Sequence, residues 1–325
     1  MPQPAARWPA RDAPPLPGTL AGRQPATRSR WGAWLLQALQ WMVIWVPLLI
    51  SAGHVVLFTL WTGWISFTPS TLLPESGWVG LRNYQAVLAT RNWQTAYANL
   101  FVFGIGFVAL ATLVGLLLAV LLDQRVRGEN VLRTVFLYPM AVSFVVTGTV
   151  WGWLLNPGLG IQHLVRNLGW TGFRFDWLVD RDRAIYTVVI AGVWQASGFA
   201  MALFLAGLRS VDGDLIKAAQ IDGAGPWRIY GRVVLPSLGP IFVAVLVILL
   251  QFAIKTFDLV RALTGGGPGI STTLPALVVY DFMFQRGLLG RGSAAAVMML
   301  LTLLAVLLPY AAYARRQRRR LGRHG

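Results

Sequence analysis

Long apolar runs limit what this chain can fold into more than any other feature. Five runs contain no Asp, Glu, Lys or Arg, and a sixth contains only Lys255, Asp258 and Arg261. Each has 22 to 27 residues, and about 20 cross a bilayer as a helix. Backbone groups in hydrocarbon must pair within their own segment. The runs therefore predict an all-α integral membrane protein with six transmembrane helices, at 41–67, 96–122, 134–155, 184–208, 237–263 and 293–314.

The overall composition supports the same class. Hydrophobic residues make up 56% of the chain and charged residues only 12%, against about 45–50% and about 25% in soluble domains. An ordinary soluble enzyme is excluded. The net charge of +16 is compatible with either nucleic-acid binding or membrane topology, so the position of the charges has to decide.

Lys and Arg residues are distributed unequally between the two sides of the predicted membrane. With the N-terminus inside, 18 of the 28 fall on inner segments and 8 on outer segments, and the remaining two lie within the run at 237–263. Because inner loops carry the excess of positive charge, both termini are predicted to be cytoplasmic. The arginine-rich stretch at 315–320 directly follows the last span. This placement favours contact with membrane lipid over nucleic acid.

The ends differ in composition from the middle of the chain. Residues 1–34 are rich in Pro, Ala and Arg and predict a disordered basic cytoplasmic tail. Residues 35–94 hold the first transmembrane helix and an external loop, residues 95–312 hold the other five helices, and residues 313–325 form a basic cytoplasmic tail.

A cytoplasmic loop at 210–236 predicts two short helices rather than a span. Asp212 or Asp214 can cap a helix that starts at Leu215, and Gly223 is a natural C-terminal stop. A Gly-Pro pair then starts a second helix, which should end before the next proline.

The first of these helices has an apolar face formed by Leu215, Ile216, Ala219 and Ala218. Such a helix can lie on the lipid surface or dock into a groove of a cytosolic partner. Composition leaves both alternatives open.

The same loop carries a recognisable motif, Lys-Ala-Ala-x-x-Asp-Gly-Ala, followed after ten residues by Leu-Pro. It resembles the E-A-A-x-x-D-G-A…L-P signature of binding-protein-dependent ABC importers, and the similarity extends over 95–312, the type-1 transmembrane core. In that family the loop is a coupling helix that docks on a cytosolic ATPase. The resemblance implies that the coupling residues are Lys217, Ala218, Ala219, Asp222, Gly223, Ala224 and Pro236.

The family usually has Glu where this chain has Lys217, so an ion pair made by that Glu cannot be carried over. Lys at this place is similar to permeases for glucose, mannose and small glucosides. The segment 255–269, with its K-x-F-D-L and T-x-G-G-P patterns, also resembles sugar permeases of the maltose/glycerol-phosphate type, and the glucose/mannose branch among them.

The triple glycine of that segment is not a phosphate-binding loop, because a Walker A motif needs a following Gly-Lys, which the chain lacks. The chain is therefore predicted to be no enzyme and to need no cofactor of its own, since ATP and Mg would be bound by the partner ATPase. The implied partners are a second homologous permease, two cytosolic ATPase subunits, an external sugar-binding protein and the sugar. The expected location is the cell inner membrane, as a multi-pass protein.

Charged and polar residues inside the spans are candidates for the substrate path. Lys255 and Asp258 stand three residues apart in one run. They either neutralise each other along one helix or face a central cavity and bind sugar hydroxyls. The fourth span adds further candidates, which are Trp194, Gln195, Ser197 and Phe199.

The residues support three rival functions less strongly than a sugar permease. A permease for another solute shares every motif above. A secondary transporter would use intramembrane carboxylates, and only Asp258 qualifies. A membrane enzyme would need a polar catalytic cluster, and the loops hold no paired carboxylates or metal-ligand spacing.

Overall fold

The structure is a computed structural model that describes residues 30–124 and 126–321. All regular elements in these residues are helical. The chain divides into two compact units, Met1–Thr59 and Leu60–Gly325, and the described part of the first unit forms the beginning of helix α1. The helices are α1 (Arg30–Ile65), α2 (Arg82–Leu88), α3 (Arg91–Asp123), α4 (Glu129–Ala141), α5 (Phe144–Leu154), α6 (Ile161–Asn167), α7 (Ala184–Leu208), α8 (Gly213–Ile221), α9 (Pro226–Ile229), α10 (Leu235–Ser237), α11 (Gly239–Lys255), α12 (Asp258–Leu263), α13 (Pro275–Tyr280) and α14 (Leu289–Leu321).

Four helices, α1, α3, α7 and α14, contain segments long and apolar enough to cross a membrane. Two more spans are possible if each of two bent pairs counts as one, which gives up to six. The first pair is α4 and α5, bent by 99°, and the second is Trp227–Ser237 with α11, bent by 64°. The predicted all-helical membrane fold is confirmed, but the third and fifth runs are broken rather than continuous helices.

The break in the third run follows from local hydrogen bonding. Val142 is extended, and the Ser143 hydroxyl accepts a hydrogen bond from the amide of Val145, which caps the new helix α5. The break in the fifth run lies at Thr256 and Phe257, where α11 ends before α12 begins. The interpretation of 237–263 as one helix was wrong at this point.

The tight pairing of α3 with α7 forms the centre of the core. A Cβ atom at Gly115 of α3 would lie only 2.6 Å from that of Ala200 on α7. Gly198 faces the main chain of α4, where a Cβ atom would collide with the carbonyl oxygen of Phe136. Small residues thus permit close helix packing, and α7 runs through Gly198 without interruption.

The predicted tails fall only partly on described residues. Residues 30–34 already belong to α1, so this end of the predicted disordered tail is helical, while the rest of it lies outside the described residues. At the other end, α14 continues to Leu321 and includes most of the predicted basic tail.

Candidate functional site

The break between α11 and α12 determines where the two intramembrane charges lie. Lys255 occupies the last turn of α11 and Asp258 the first turn of α12. Each charge is therefore at the helix end where the backbone dipole favours it. Among the described residues the two side chains form no ion pair with each other, so the alternative of a neutral pair along one helix is not what the structure shows. Arg261 lies over the ring of Tyr280, 5.5 Å from its centroid.

Two adjoining cavities share this region. One, of about 130 Å³, is lined by Lys255 and Asp258 and by the aromatic rings of Phe144 and Phe252. The other, of about 70 Å³, includes Gln195 and has the same two phenylalanines in its wall. Both are smaller than the roughly 300–1,000 Å³ typical of ligand pockets. This conformation therefore holds two small cavities with a few polar side chains in largely apolar walls, rather than an open binding pocket.

Gln195 is a buried polar residue whose side-chain oxygen has no hydrogen-bond partner among the described residues. Its side chain is 3% exposed, and Nε2 donates a 2.8 Å hydrogen bond to the carbonyl oxygen of Val142 at the α4–α5 break. Oε1 has no hydrogen-bond partner in the described part of the chain. An unpaired buried acceptor costs roughly 1–3 kcal/mol, so this site is stabilised by any donor that enters the cavity.

The remaining predicted substrate-path residues are more scattered. Phe199 packs on the cavity wall, with its ring centroid 6.0 Å from that of Phe252. Trp194 is 40% exposed and stacks edge-on against Trp151, and Ser197 is buried. Neither Trp194 nor Ser197 lines the two cavities.

The wall residues Phe144, Phe252 and Thr256 were missed from the sequence. Nothing in their residue types marks them as polar ligands. Ser143, directly after an extended position and before an apolar helix, was the signal that could have revealed the break.

The first helix of the loop at 210–236 folds largely as expected, although α8 begins at Gly213 rather than at the predicted Leu215. Asp212 is the N-cap of α8 and accepts from the amide of Asp214 at 2.9 Å. The helix ends at Gly223, whose φ is +74°. The amides of Gly223 and Ala224 bond back to the carbonyls of Gln220 and Ala219, both at 3.0 Å, which is a Schellman C-terminus.

The second helical part of the loop differs from the prediction. It begins with Pro226 in α9, as expected, but then passes through a π-helical turn at Tyr230–Val234. It continues as α10 through Pro236 to Ser237, so the predicted end before Pro236 was wrong. Pro236 lies in the first turn of α10, directly after the π-helical turn.

The predicted apolar face of α8 is partly packed against the core and partly exposed. Ile216 and Ala219 pack against the core, as does Ala224 after the helix. Leu215 is exposed, and Ile221 is 86% exposed.

Most of the coupling positions are open to solvent. Lys217, Ala218, Asp222 and Gly223 are exposed. Lys217 Nζ lies 2.9 Å from Asp214 Oδ1, but both side chains are so exposed that the pair adds little stability. The surface offered outward is thus a mixed apolar and polar strip, while the other side of the helix is anchored.

Tyr230 joins this loop to the end of α3. Its hydroxyl donates to Asp123 Oδ2 at 3.0 Å and accepts from Gln124 Nε2 at 3.0 Å. Burial, and then the neighbouring Asp123 carboxylate, raises the pKa of the Tyr230 hydroxyl. No sequence pattern predicted this contact, because its partners are more than 100 residues apart.

The glycine-rich segment at the other end of α12 forms an ordered loop. Gly265 and Gly266 have φ values of +64° and +96°, which only glycine adopts readily. Asn99 of α3 donates to the carbonyl oxygens of Ser271 at 2.9 Å and Thr273 at 3.0 Å. Hydrogen bonds from Asn99 to the main chain of the loop therefore hold the loop against α3.

Comparison with known proteins identifies the family. The model described as "Binding-protein-dependent transport system inner membrane component" matches residues 111–322. The chain belongs to this family. It is thus the permease subunit of a binding-protein-dependent ABC importer, a multi-pass inner-membrane protein and a transport component rather than an enzyme.

Curated relatives cover most of this permease. It is 38% identical to a probable ABC transporter permease protein of Pyrococcus horikoshii, over 82% of this chain and 92% of that one. It is 32% identical to the trehalose/maltose transport system permease of Thermococcus litoralis, over 84% and 92%. It is 34% identical to the sn-glycerol-3-phosphate transport system permease of Salmonella typhimurium, over 89% and 95%.

A solved structure shows the same fold. A crystal structure of a bacterial ABC transporter involved in alginate import superposes with a TM-score of 0.70 at 20% identity. The match covers 87% of this chain and 96% of that chain.

Proposed function

We propose that this permease carries a sugar, of the glucose/mannose or small-glucoside class. The broader class of sugar or glycerol phosphate rests on the relatives. The finer choice is supported by the Lys-x-Phe-Asp-Leu segment at 255–259 and by Lys217 in the coupling motif, both of which resemble that branch. In this proposal the permease works with a second homologous permease, two cytosolic ATPase subunits that bind ATP and Mg, and an external sugar-binding protein.

The observation that carries the proposal is the group of polar side chains at the α11–α12 break. Gln195 Oε1 is an unused acceptor, Lys255 supplies donors and Asp258 supplies acceptors around the joined cavities. Phe144 and Phe252 add apolar surface. Sugars combine hydroxyls with apolar ring faces, and a site that orients them needs both kinds of contact.

The coupling loop is the proposed attachment point for an ATPase subunit. The exposed Leu215 and Ile221 offer apolar contact, while Ile216 and Ala219 hold α8 to the permease core. Closure of the ATPase dimer would move α8, and the membrane helices would shift between two arrangements that expose the region of the two cavities to opposite sides.

The experiment tests the two charges together in the reconstituted importer. Lys255→Met with Asp258→Leu removes both charges without leaving one unpaired. The matched control is Arg174→Met with Asp176→Leu, which removes an exposed ion pair of 3.4 Å in a connecting segment.

We expect the first double variant to express normally and to lose uptake of labelled glucose or mannose, while the control transports normally. Normal uptake by the first double variant would remove both residues from the site. Uptake of glycerol 3-phosphate but not of hexoses by the parent importer would overturn the sugar assignment.

A further inference from the structure

An apolar groove lies between the cytoplasmic half of α3 and the second helical part of the coupling loop. It has a volume of about 560 Å³. Its walls include Leu113, Leu117 and Leu121 of α3 on one side and Trp227, Tyr230 and Gly231 on the other. The three leucines are exposed, so this surface is open on the described chain.

The length of the groove matches one leaflet of a bilayer. Its α3 wall extends from Leu113 to Gln124, and at 1.5 Å per residue this is about 16 Å. Half of the hydrocarbon core of a bilayer is about 15 Å. Because Gln124 lies at the predicted cytoplasmic end of α3, the groove reaches from the inner surface to about the bilayer centre.

The width of the groove suits one hydrocarbon chain. A volume of about 560 Å³ over about 16 Å leaves a mean cross-section of about 35 Å². A helix with its side chains is about 10–12 Å across, which is roughly 80–110 Å². A single extended hydrocarbon chain fits this cross-section, whereas a neighbouring helix would enter only with its side chains.

The cytoplasmic mouth carries groups suited to a lipid headgroup. Trp227 is 92% exposed, and Trp is the residue enriched at headgroup level. Arg228 and Arg232 follow the lining residues Trp227 and Gly231 in sequence and stand about one helical turn apart. Both are exposed, and neither forms an ion pair with a described carboxylate.

We propose that this groove binds an anionic phospholipid of the inner leaflet. One acyl chain lies between α3 and the coupling loop, and the phosphate is held by Arg228 and Arg232. The lipid then contacts Tyr230, which connects the loop to α3. This site is independent of the transported substrate.

Two variants test the two halves of the site. Gly231→Leu fills the groove, and a Cβ atom at Gly231 meets no other atom within 4 Å, so the new side chain has room to enter. Its control is Gly63→Leu, at a second open glycine outside the groove. Arg228→Gln with Arg232→Gln removes the charges at the mouth, and its control is Arg127→Gln with Arg133→Gln at exposed inner positions.

The measurement is native mass spectrometry of the assembled importer, titrated with phosphatidylglycerol or with phosphatidylcholine. We expect one tightly held phosphatidylglycerol per permease, which Gly231→Leu abolishes and Gly63→Leu preserves. Each basic residue near an anionic surface contributes about fivefold in affinity. The double arginine variant should therefore bind phosphatidylglycerol about 25-fold more weakly, close to phosphatidylcholine, and its control should not.

Equal binding of the two lipids by the parent would overturn the anionic assignment. Undiminished phosphatidylglycerol binding by Gly231→Leu would overturn the groove as its location. The arginine variants change only exposed side chains, so they decide the question even if Gly231→Leu does not assemble.

Discussion

The left-handed backbone of Gly223 allows the role of the coupling loop to be tested by adding a single methyl group. Its φ of +74° lies in the left-handed region, which costs a residue with a side chain about 1–2 kcal/mol. A Cβ atom there would meet nothing within 4 Å. Gly223→Ala therefore introduces conformational strain and no collision.

If the loop of the variant relaxes in the free permease and the ATPase subunit binds only this conformation, the strain appears in the binding free energy. At 1.4 kcal/mol for each factor of ten, Gly223→Ala should weaken ATPase binding by about 5- to 30-fold. Gly223→Asn should lose less, because Asn adopts the left-handed conformation more readily. Gly213→Ala is the control, since Gly213 also has open space, its φ is not positive, and it begins the same helix.

The assay is a titration of purified ATPase subunits against permease held in nanodiscs, with the dissociation constant as the readout. The expected order of affinity is parent equal to Gly213→Ala, then Gly223→Asn, then Gly223→Ala. Four equal constants would show that the loop does not bind the ATPase in this conformation. Equal losses for Ala and Asn would show that bulk, not backbone strain, is responsible.

Three further outcomes follow from the structure and the charge distribution. A reporter fused after Gly325 should behave as cytoplasmic and one inserted at Gly267 as external, and an internal signal at Gly267 would contradict the six-span topology. Tyr230→Phe removes two hydrogen bonds, one of them to the Asp123 carboxylate, and should lower stability by about 1–3 kcal/mol in a thermal-melting assay. Because the folded-state pKa of Tyr230 is raised, its contribution should persist up to its unfolded pKa of about 10 and be lost as pH rises through the folded value. Gly115→Leu should abolish membrane accumulation measured by immunoblot, because even a Cβ atom there would be 2.6 Å from a side chain of α7.

The helical structure and apolar composition of the spans could be predicted because hydrocarbon tolerates few charges and no unpaired backbone. Local motifs were equally predictable, because the cap at Asp212 and the left-handed stop at Gly223 depend only on neighbouring residues. These are features that a short stretch of sequence determines alone.

The breaks in the third and fifth runs were not predicted, and a tertiary contact accompanies the first of them. Gln195 of α7 holds the carbonyl oxygen of Val142 where α4 ends, and no local pattern reveals a partner 53 residues away. Lys255 and Asp258 looked like neighbours on one helix face until the chain was seen to break between them. Apolar composition shows that a segment enters the membrane, but not whether it crosses as one helix.

These breaks also explain how a cytoplasmic movement can reach the two cavities. Helices α3 and α7 pack too closely at Gly115 and Ala200 to slide freely, so they behave as one body. Tyr230 connects the coupling loop to the end of that body at Asp123, and Gln195 projects from its middle. The weak points in the surrounding helices lie at Val142 and at Thr256, where backbone pairing is interrupted. A force on the loop is therefore expected to tilt α3 and α7 together and to change the geometry at the two breaks, which is where the unpaired acceptor and the two charges lie.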